Sequence, residues 1–342
     1  MNHDELRALD RQHLWHPFTQ HSLWGTPDPV LVMDRAEGFH LIDVDGKRYL
    51  DGVSSLWCNV HGHRVPELDD AIRAQLDKVA HSTLLGLSQT QSVLLAKELV
   101  DVAPEGLTRV FYSDSGATSV EAALKMAVQF HAQTGHPQRR SFVTLGDAYH
   151  GDTMGSVSLG FSDWFHRAFK HLSFPTIQVS SSDVDAAVAA IEKHAGELAG
   201  VVMEPMVQGA AGMIMQPRGY LRAVADACRK HNVLLICDEV AVGFGRTGRL
   251  WAVDHDNVKP DILCLAKGLS GGYLPLAATL TTERIFDAFK GVPSEARTFF
   301  HGHTFTGNAL GCAVARASLK LLVENVLPTA TERVAHLRAA LQ

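Results

Sequence analysis

Apolar residues follow two alternating patterns along the chain, short continuous runs and longer stretches with the spacing of a helix face. The short runs predict buried strands, because a strand covered on both faces is apolar at nearly every position. We assign strands to 109–113, 141–145, 200–203, 233–237, 262–265 and 274–280. Between them, apolar residues three and four apart predict amphipathic helices. The predicted helices occupy 90–102, 186–198 and stretches that begin near Pro66, Thr118, Pro217, Leu310 and Ala330.

The regular alternation of strand and helix is typical of an α/β fold, with a mostly parallel sheet and helices on both of its faces. The N-terminal part departs from this alternation. Residues 31–53 predict strands around Asp45-Gly46, a dipeptide that favours a hairpin, and so a small antiparallel unit. Residues 1–30 show neither the spacing of a helix face nor that of a strand. We therefore expect an irregular segment across a surface or a partner subunit, anchored by Trp15 and Phe18.

The pattern also suggests how the chain divides into units. The last predicted helix starts near Ala330, and the chain stops at Gln342 while the helical pattern continues. We therefore expect an interrupted C-terminal unit. The predicted division is an N-terminal segment at 1–60 that joins a small domain, a large domain at 61–300, and the start of the C-terminal small domain at 301–342.

Composition and charge narrow the possible functions. Of the 342 residues, 46% are hydrophobic and 20% are charged, as in ordinary globular proteins. The net charge is −6 and no run of lysine and arginine occurs, which argues against nucleic acid or an anionic membrane as a partner. The N-terminus lacks a signal-peptide core, and no apolar run is long enough for a bilayer, so we expect a cytoplasmic protein.

Cysteine and histidine form no pattern typical of a disulfide framework or a metal site. The five cysteines are scattered, which is typical of core thiols in a reducing compartment. Histidines lie two apart at His61 and His63 and again at His301 and His303. Because no HExxH motif or carboxylate cluster accompanies them, we expect them to make hydrogen bonds in loops rather than to bind a metal.

Lys267 is the first candidate for chemistry. It follows the predicted strand 262–265, and Gly268, Gly271 and Gly272 come directly after it. A lysine at the end of a buried strand, with little bulk beside it, can reach a cleft, lose its proton more easily and form a Schiff base with an aldehyde. A solvated loop lysine is the common alternative.

Asp238 ends the predicted strand 233–237 and gives this lysine a partner. Ligands of open α/β sheets bind at the carboxyl ends of the strands, so we expect Asp238 and Lys267 to face one crevice. Pyridoxal phosphate requires this pair, an amine for its aldehyde and a carboxylate that keeps its ring nitrogen protonated. The alternative for Asp238 is a cap at the strand end.

Two further strand ends carry candidate cofactor contacts. Ser115-Gly116-Ala117 connects a strand to a helix, and free N–H groups at a helix N-terminus can bind a phosphate. Thr118 and Glu121 fit a capping box for that helix. Tyr149 follows another strand and can lie on the face of a flat cofactor. An ordinary capped helix and an aromatic residue that fills a loop are the alternatives.

These residues and their neighbourhoods resemble the class III aminotransferases of fold type I, over essentially the whole chain. The matching stretches are LWHPFTQ at 14–20, DGVSSLWCNVHGH at 51–63, FYSDSGATSVEAALKMA at 111–127, YHGDT at 149–153, VMEPMVQGAAGM at 202–213, CDEVAVGFGRTGRL at 237–250, DILCLAKGLSGG at 261–272 and HGHTFTGN at 301–308. The stretches around Asp238 and Lys267 are highly specific for the class. A nucleotide-binding Rossmann protein fits poorly, since the first strand–helix unit lacks GxGxxG.

The resemblance implies pyridoxal 5'-phosphate as cofactor and a role for each matching position. Lys267 is expected to hold the cofactor and to move a proton between substrate and cofactor, while Asp238 pairs with the ring nitrogen. Gly116 and Ala117 are expected to bind the phosphate, and Tyr149 to stack on the ring. His303 and Thr304 are expected to reach that phosphate from the other subunit of a homodimer. The implied substrate contacts are Leu56, Tyr149, Lys267 and Gly302, with Trp57 beside Leu56.

The resemblance also implies a reaction. It is the transfer of an amino group to 8-amino-7-oxononanoate in biotin biosynthesis, with S-adenosylmethionine or lysine as donor. Phe18, Leu56 and His303 differ from residues found in some members, and the family continues beyond Gln342 with an arginine that binds the substrate carboxylate. The alternatives are another class III ω-amino acid:pyruvate aminotransferase, or a truncated dimer that binds the cofactor with little activity.

Overall fold

The computed structural model describes residues 2–342, and its largest sheet contains seven of the strands. The strands are β1 (Met33–Glu37), β2 (His40–Asp43), β3 (Arg48–Leu50), β4 (Leu107–Ser113), β5 (Ser141–Leu145), β6 (Ile177–Val179), β7 (Leu198–Met203), β8 (Val207–Gln208), β9 (Ile214–Met215), β10 (Leu234–Asp238), β11 (Ile262–Leu265) and β12 (Ala277–Thr282). The large sheet has the order β4-β12-β11-β10-β7-β5-β6. Only β12 runs antiparallel to its neighbours, so the predicted mostly parallel sheet is confirmed.

Helices cover both faces of this sheet. The helix Gly116–Gln133 packs on one face, and Thr90–Val102 and Tyr220–His231 pack on the other. The helices of the chain include His3–His13, Pro66–Leu76, Thr90–Val102, Gly116–Gln133, Met154–Leu159, Asp163–His166, Val184–His194, Tyr220–His231, Glu283–Ala288, Ala309–Leu321 and Ala330–Leu341. In β10, Leu234 and Ile236 pack with residues of the helix Gly116–Gln133, whereas Leu235 and Cys237 belong to the core on the opposite face. Burial on both faces explains why these strands are continuous apolar runs.

The strand register brings the carboxyl ends of several strands to one edge of the sheet. Asp238 at the end of β10 pairs with Cys264 in β11, and Cys237 pairs with Met203 at the end of β7. Strand β4 has the same direction as β11, because both are antiparallel to β12. The segments that follow β4, β5, β7, β10 and β11 therefore begin at the same edge, where open α/β sheets bind their ligands.

The predicted boundaries agree closely in some elements and fail in others. The helix 90–102 and the strands 141–145 and 262–265 have the predicted bounds, and the antiparallel hairpin at Asp45-Gly46 is confirmed. The helix predicted at 186–198 ends at His194, because Leu198 already belongs to β7.

The largest error lies near the N-terminus, where His3–His13 is helical. The Asn2 side chain accepts from the N–H of Glu5, and the Glu5 carboxylate accepts from the N–H of Asn2. This capping box is a sequence signal that could have been used. Trp15 and Phe18 are 91% and 81% exposed, so they do not anchor the segment to this chain.

No helix in residues 2–342 combines the length and the apolar character that a membrane span requires. Within the same residues, no group of three or more His, Cys, Asp or Glu side chains is arranged to hold a metal ion.

Candidate active site

A cavity of about 720 Å³ opens at the carboxyl edge of the sheet. Five of the predicted site residues line it: Gly116, Ala117, Tyr149, Asp238 and Lys267. They come from the segments after β4, β5, β10 and β11, so the fold joins parts of the chain that are far apart in sequence. The expected convergence of Lys267 and Asp238 on one crevice is therefore found in the structure.

Lys267 lies in a strained and largely buried position. Its φ of +44° is in the left-handed region, which an L-residue adopts at a cost. A Cβ on the next residue, Gly268, would lie 2.9 Å from Cβ of Phe244, so only glycine fits there. Burial lowers the pKa of the Lys267 amine, and the negative charges of Asp238 and Glu204 oppose that shift. The amine therefore loses its proton more easily than a solvated lysine does.

The Trp57 ring covers this amine, with Nζ of Lys267 4.8 Å from the ring centroid. Trp57 closes a turn, Ser54–Trp57, in which all four residues have φ between 48° and 72°. Such a run of left-handed residues without glycine is costly and is retained where the surroundings enforce it. Two contacts do so here: Asp51 accepts from the N–H and hydroxyl of Ser55, and Arg246 donates to the Trp57 carbonyl at 2.8 Å.

The Asp238 carboxylate is buried and held by two donors. The N–H of Val240 donates to Oδ1 at 2.9 Å, and Nδ1 of His150 lies 2.7 Å from Oδ2. Burial disfavours protonation of His150, but its hydrogen bond and attraction to Asp238 outweigh this and raise its pKa. The second ring nitrogen of His150 is buried without a partner in residues 2–342. A carboxylate fixed in this way presents its charge to the cavity in one orientation.

The N-terminus of the helix Gly116–Gln133 forms one wall of the cavity. Ser115 caps it by accepting from the N–H of Thr118, so the predicted capping box of Thr118 and Glu121 is wrong. Glu121 instead accepts from the N–H of Gly155 at 2.6 Å. A Cβ at Gly116 would lie 2.6 Å from a Val240 methyl group, so glycine is required. The first N–H groups of a helix have no partner within it and can bind an anion.

Tyr149 and Glu204 form the wall on the side of β5 and β7. The Tyr149 hydroxyl donates to Asp152 at 2.8 Å, and its N–H donates to Glu204 at 3.3 Å. Burial, and then Asp152, raise the pKa of Tyr149, so its phenol stays protonated. Glu204 also accepts from the N–H of Gly209 at 3.1 Å, and burial raises its pKa.

Sequence reasoning missed His150 and Glu204 as site residues. Both follow the ends of central strands, β5 and β7, and both line the cavity. The rule that selected Asp238 would have selected them as well, because each is a polar residue at the carboxyl end of a buried strand.

The family profile Aminotransferase class-III matches residues 24–342. This chain belongs to the class III aminotransferases. It is 53% identical to the adenosylmethionine-8-amino-7-oxononanoate aminotransferase of Nitratidesulfovibrio vulgaris, over 98% of this chain and 66% of that protein. It is 52% identical to the protein of the same name from Geobacter sulfurreducens, over 92% of this chain and 74% of that one. The chain thus spans about two thirds to three quarters of these relatives.

Comparison with solved structures also identifies aminotransferases as similar proteins. The crystal structure of the adenosylmethionine-8-amino-7-oxononanoate aminotransferase of Methanocaldococcus jannaschii aligns with a TM-score of 0.93 at 46% identity, over 96% of this chain and 77% of that one. An amine transaminase from an uncultivated Pseudomonas species, solved in its PLP-bound form, aligns with a TM-score of 0.85 at 35% identity, over 91% and 74% of the two chains.

Four of the residues inferred for this class III aminotransferase do not line the cavity: Leu56, Gly302, His303 and Thr304. Leu56 is 70% exposed, while its neighbour Trp57 lines the cavity. Nδ1 of His303 lies 3.1 Å from the Asp114 carboxylate of the same chain. The roles of His303 and Thr304 at the phosphate of another subunit stay predictions.

Proposed function

We propose that this chain is a pyridoxal-phosphate-dependent transaminase of biotin biosynthesis that converts 8-amino-7-oxononanoate into 7,8-diaminononanoate. The observation that carries the proposal is one cavity lined by a half-buried amine, Lys267, and a buried carboxylate, Asp238. The substrate is inferred from the names of the relatives that are 41–53% identical to this chain. Those names also favour S-adenosylmethionine over lysine as the amino donor.

The residues of the cavity fit pyridoxal phosphate. The amine of Lys267 suits its aldehyde, and Asp238, oriented by His150, suits a protonated ring nitrogen. The capped helix that starts at Gly116 suits the phosphate, since its first N–H groups lack partners within the helix. When bound, the cofactor supplies the electron sink that makes a proton on the substrate carbon acidic.

The protein's own contribution is placement and proton transfer. Lys267 would hold the cofactor and, as a free amine, would move the proton at the substrate carbon. Its lowered pKa suits a general base. Asp238 would keep the ring nitrogen protonated, and Gly116 and Ala117 would orient the phosphate. Tyr149, whose hydroxyl donates to Asp152, would cover the ring and place a polar group beside the substrate. Trp57 shields the amine from water.

The assembly and the units of the chain are part of the same proposal. We infer a homodimer in which His303 and Thr304 reach the phosphate of the other subunit, and Leu56 and Gly302 contact substrate. The exposed aromatic residues Trp15 and Phe18 are consistent with a partner surface. We retain the division into an N-terminal segment at 1–60, a large domain at 61–300 and a C-terminal unit at 301–342.

A cytoplasmic location is supported by the cysteines. Each of the five is a free thiol, and four of them are buried. Core thiols of this kind are typical of a reducing compartment.

Borohydride fixation tests the cofactor site directly. Full-length protein loaded with pyridoxal phosphate is reduced with sodium borohydride, digested and analysed by mass spectrometry. We expect the pyridoxyl mass on the peptide that contains Lys267, its loss in Lys267→Ala, and its retention in the surface variant Lys259→Ala. A label on another lysine, or no label in the unmodified protein, would refute the proposed site.

A second candidate is another class III ω-amino acid aminotransferase. A structure of an (S)-enantioselective ω-transaminase from Thermomicrobium roseum aligns with a TM-score of 0.88 at 33% identity. A substrate panel separates the two candidates. Formation of 7,8-diaminononanoate from 8-amino-7-oxononanoate supports the first, and turnover confined to β-alanine or putrescine with pyruvate supports the second.

A further inference from the structure

Glu239 is a buried carboxyl group with no role in the reaction described above. It directly follows Asp238, its side chain is fully buried, and it does not line the cavity. No lysine, arginine or histidine forms an ion pair with it in residues 2–342. Burial raises its pKa to about 8. A buried carboxyl without a cation is costly, so its hydrogen bonds indicate what it does.

Those hydrogen bonds join the two ends of one loop, residues 240–251. Oε2 of Glu239 accepts from the N–H of Ala252 at 2.9 Å, and Oε1 accepts from the N–H of Val253 at 2.8 Å. Its backbone is fixed as well, since its N–H donates to Cys264 in β11 and its carbonyl accepts from Gly243. The Glu239 side chain, directly before the loop, therefore binds the backbone of Ala252 and Val253, directly after the loop.

The loop that Glu239 closes contacts the active site at three points. Val240 donates its N–H to Asp238 and packs its side chain against Gly116. Phe244 packs against Gly268, the residue after Lys267. Arg246 donates to the carbonyl of Trp57, whose ring covers the Lys267 amine. Residues of this loop thus touch Asp238 and Gly116 directly, and they touch the two neighbours of the Lys267 amine, Gly268 and Trp57.

We infer that Glu239 is a positioning residue that closes the loop 240–251 and so keeps Asp238, Gly116 and Lys267 in the geometry that binds the cofactor, an inference that rests on the function proposed above. Glu239 touches neither cofactor nor substrate. It acts through Val240, Phe244 and Arg246, and it should affect the cofactor-free protein as much as the loaded enzyme.

The variant Glu239→Gln tests this role, because a glutamine side chain has nearly the same shape as a glutamate side chain. Its amide keeps one oxygen acceptor but turns an NH₂ group toward a backbone N–H, so one hydrogen bond is replaced by two opposed donors. The matched control is Asp254→Asn. Asp254 accepts from the N–H of Trp251 in the same segment, but it does not connect the two ends of the loop.

Hydrogen exchange of the cofactor-free full chain, read by mass spectrometry, is the first measurement. We expect exchange in the peptide 240–253 to accelerate at least about tenfold in Glu239→Gln, with the strand peptide 234–238 unchanged. The second measurement is the Kd for pyridoxal phosphate from absorbance titration, which should rise at least about tenfold. Asp254→Asn should stay within about twofold of the unmodified chain in both.

The outcomes separate this inference from the proposed function. If Glu239→Gln leaves both the loop exchange and the Kd within about twofold, the positioning role is wrong. In a second outcome, Glu239→Gln accelerates exchange in the loop, but even the unmodified chain does not bind pyridoxal phosphate. That outcome supports the positioning role of Glu239 and refutes the proposed function. If Glu239→Gln does not fold, Glu239→Asp replaces it. That variant keeps two acceptor oxygens on a shorter side chain, and unchanged exchange in it would equally refute the role.

Discussion

Nδ1 of His150 lies 2.7 Å from Oδ2 of Asp238, and both side chains are buried at the carboxyl edge of the sheet. The pair joins the end of β10 to the segment after β5. Its hydrogen bond fixes the direction of a carboxylate that we expect to face the cofactor ring. The two residues therefore form one functional unit, although only Asp238 was identified from the sequence.

His150→Asn should destabilise the protein in a pH-dependent manner. The pKa of His150 is raised in the folded state, so its contribution to stability is fully present below about 6.5, its ordinary value, and is lost as the pH rises through the raised value. We expect a loss of about 1.5–3 kcal/mol in the free energy of unfolding at pH 6 and a smaller loss at pH 9, measured by urea denaturation.

The exposed histidine His171 provides the control for this experiment. His171→Asn should change stability by no more than about 0.5 kcal/mol at either pH. An equal loss for His150→Asn at pH 6 and pH 9 would show that the pair with Asp238 carries no charge-dependent stability.

Asp238→Asn should keep the cofactor and lose most of the activity. The amide retains an acceptor for the N–H of Val240 but cannot hold a proton on the ring nitrogen. We expect turnover to fall at least about 10²-fold, while borohydride still fixes the label on Lys267. Asp226→Asn, a change in an exposed pair with Arg229, should retain full turnover. Unchanged turnover in Asp238→Asn would exclude the ring-nitrogen role.

Much of the central fold follows from the sequence because its strands are buried on both faces. Strands β10 and β11 are apolar runs, and charge distinguishes Asp238, which ends β10, and Lys267, which lies two residues after β11, from those runs. The helix predicted from about Thr90 to Val102 has these bounds in the structure, and it buries Leu95 and Leu99.

The turn Ser54–Trp57 could not be predicted from local pattern. Four consecutive residues without glycine disfavour the left-handed conformation, and only contacts with Asp51 and the distant Arg246 enforce it. The hydrogen bonds of Glu239 to Ala252 and Val253, and the pairing of His150 with Asp238, could not be predicted from local pattern either. In each case the decisive partner is set by the tertiary fold, whereas propensity and periodicity describe single segments.

Substitutions at Leu56 should report the strain in this turn. Leu56 has φ +72° and is 70% exposed, so its side chain adds little packing that could offset the backbone cost. Leu56→Val should lower the free energy of unfolding by about 1–2 kcal/mol, because a β-branched residue tolerates this region worst. Leu56→Gly should cost less than about 0.5 kcal/mol. Equal effects of the two variants in thermal or urea unfolding would contradict the left-handed geometry.

Lys267→Met should stabilise the cofactor-free protein while abolishing its activity. Burial lowers the pKa of Lys267 from its ordinary value of 10.5, so the unfolded chain binds this proton more tightly than the folded one. The free-energy cost of burying the charged Lys267 amine is absent above pH 10.5, where the amine is neutral in both states. This cost grows as the pH falls toward the lowered pKa of the folded state. Methionine has a similar length and no charge, and we expect a gain of about 1 kcal/mol at pH 7 that shrinks at pH 10.

The groups whose charges act on this amine are Asp238, Glu204, Arg246 and Cys58. Lys259→Met serves as the control, since Lys259 is a surface lysine paired with Glu105 and should show no gain at pH 7. Destabilisation by Lys267→Met at pH 7, in urea unfolding of the cofactor-free protein, would mean that attraction by Asp238 and Glu204 outweighs the cost of burial. In that case the amine would be held as an ammonium ion, and its role as a base would need a different source of activation.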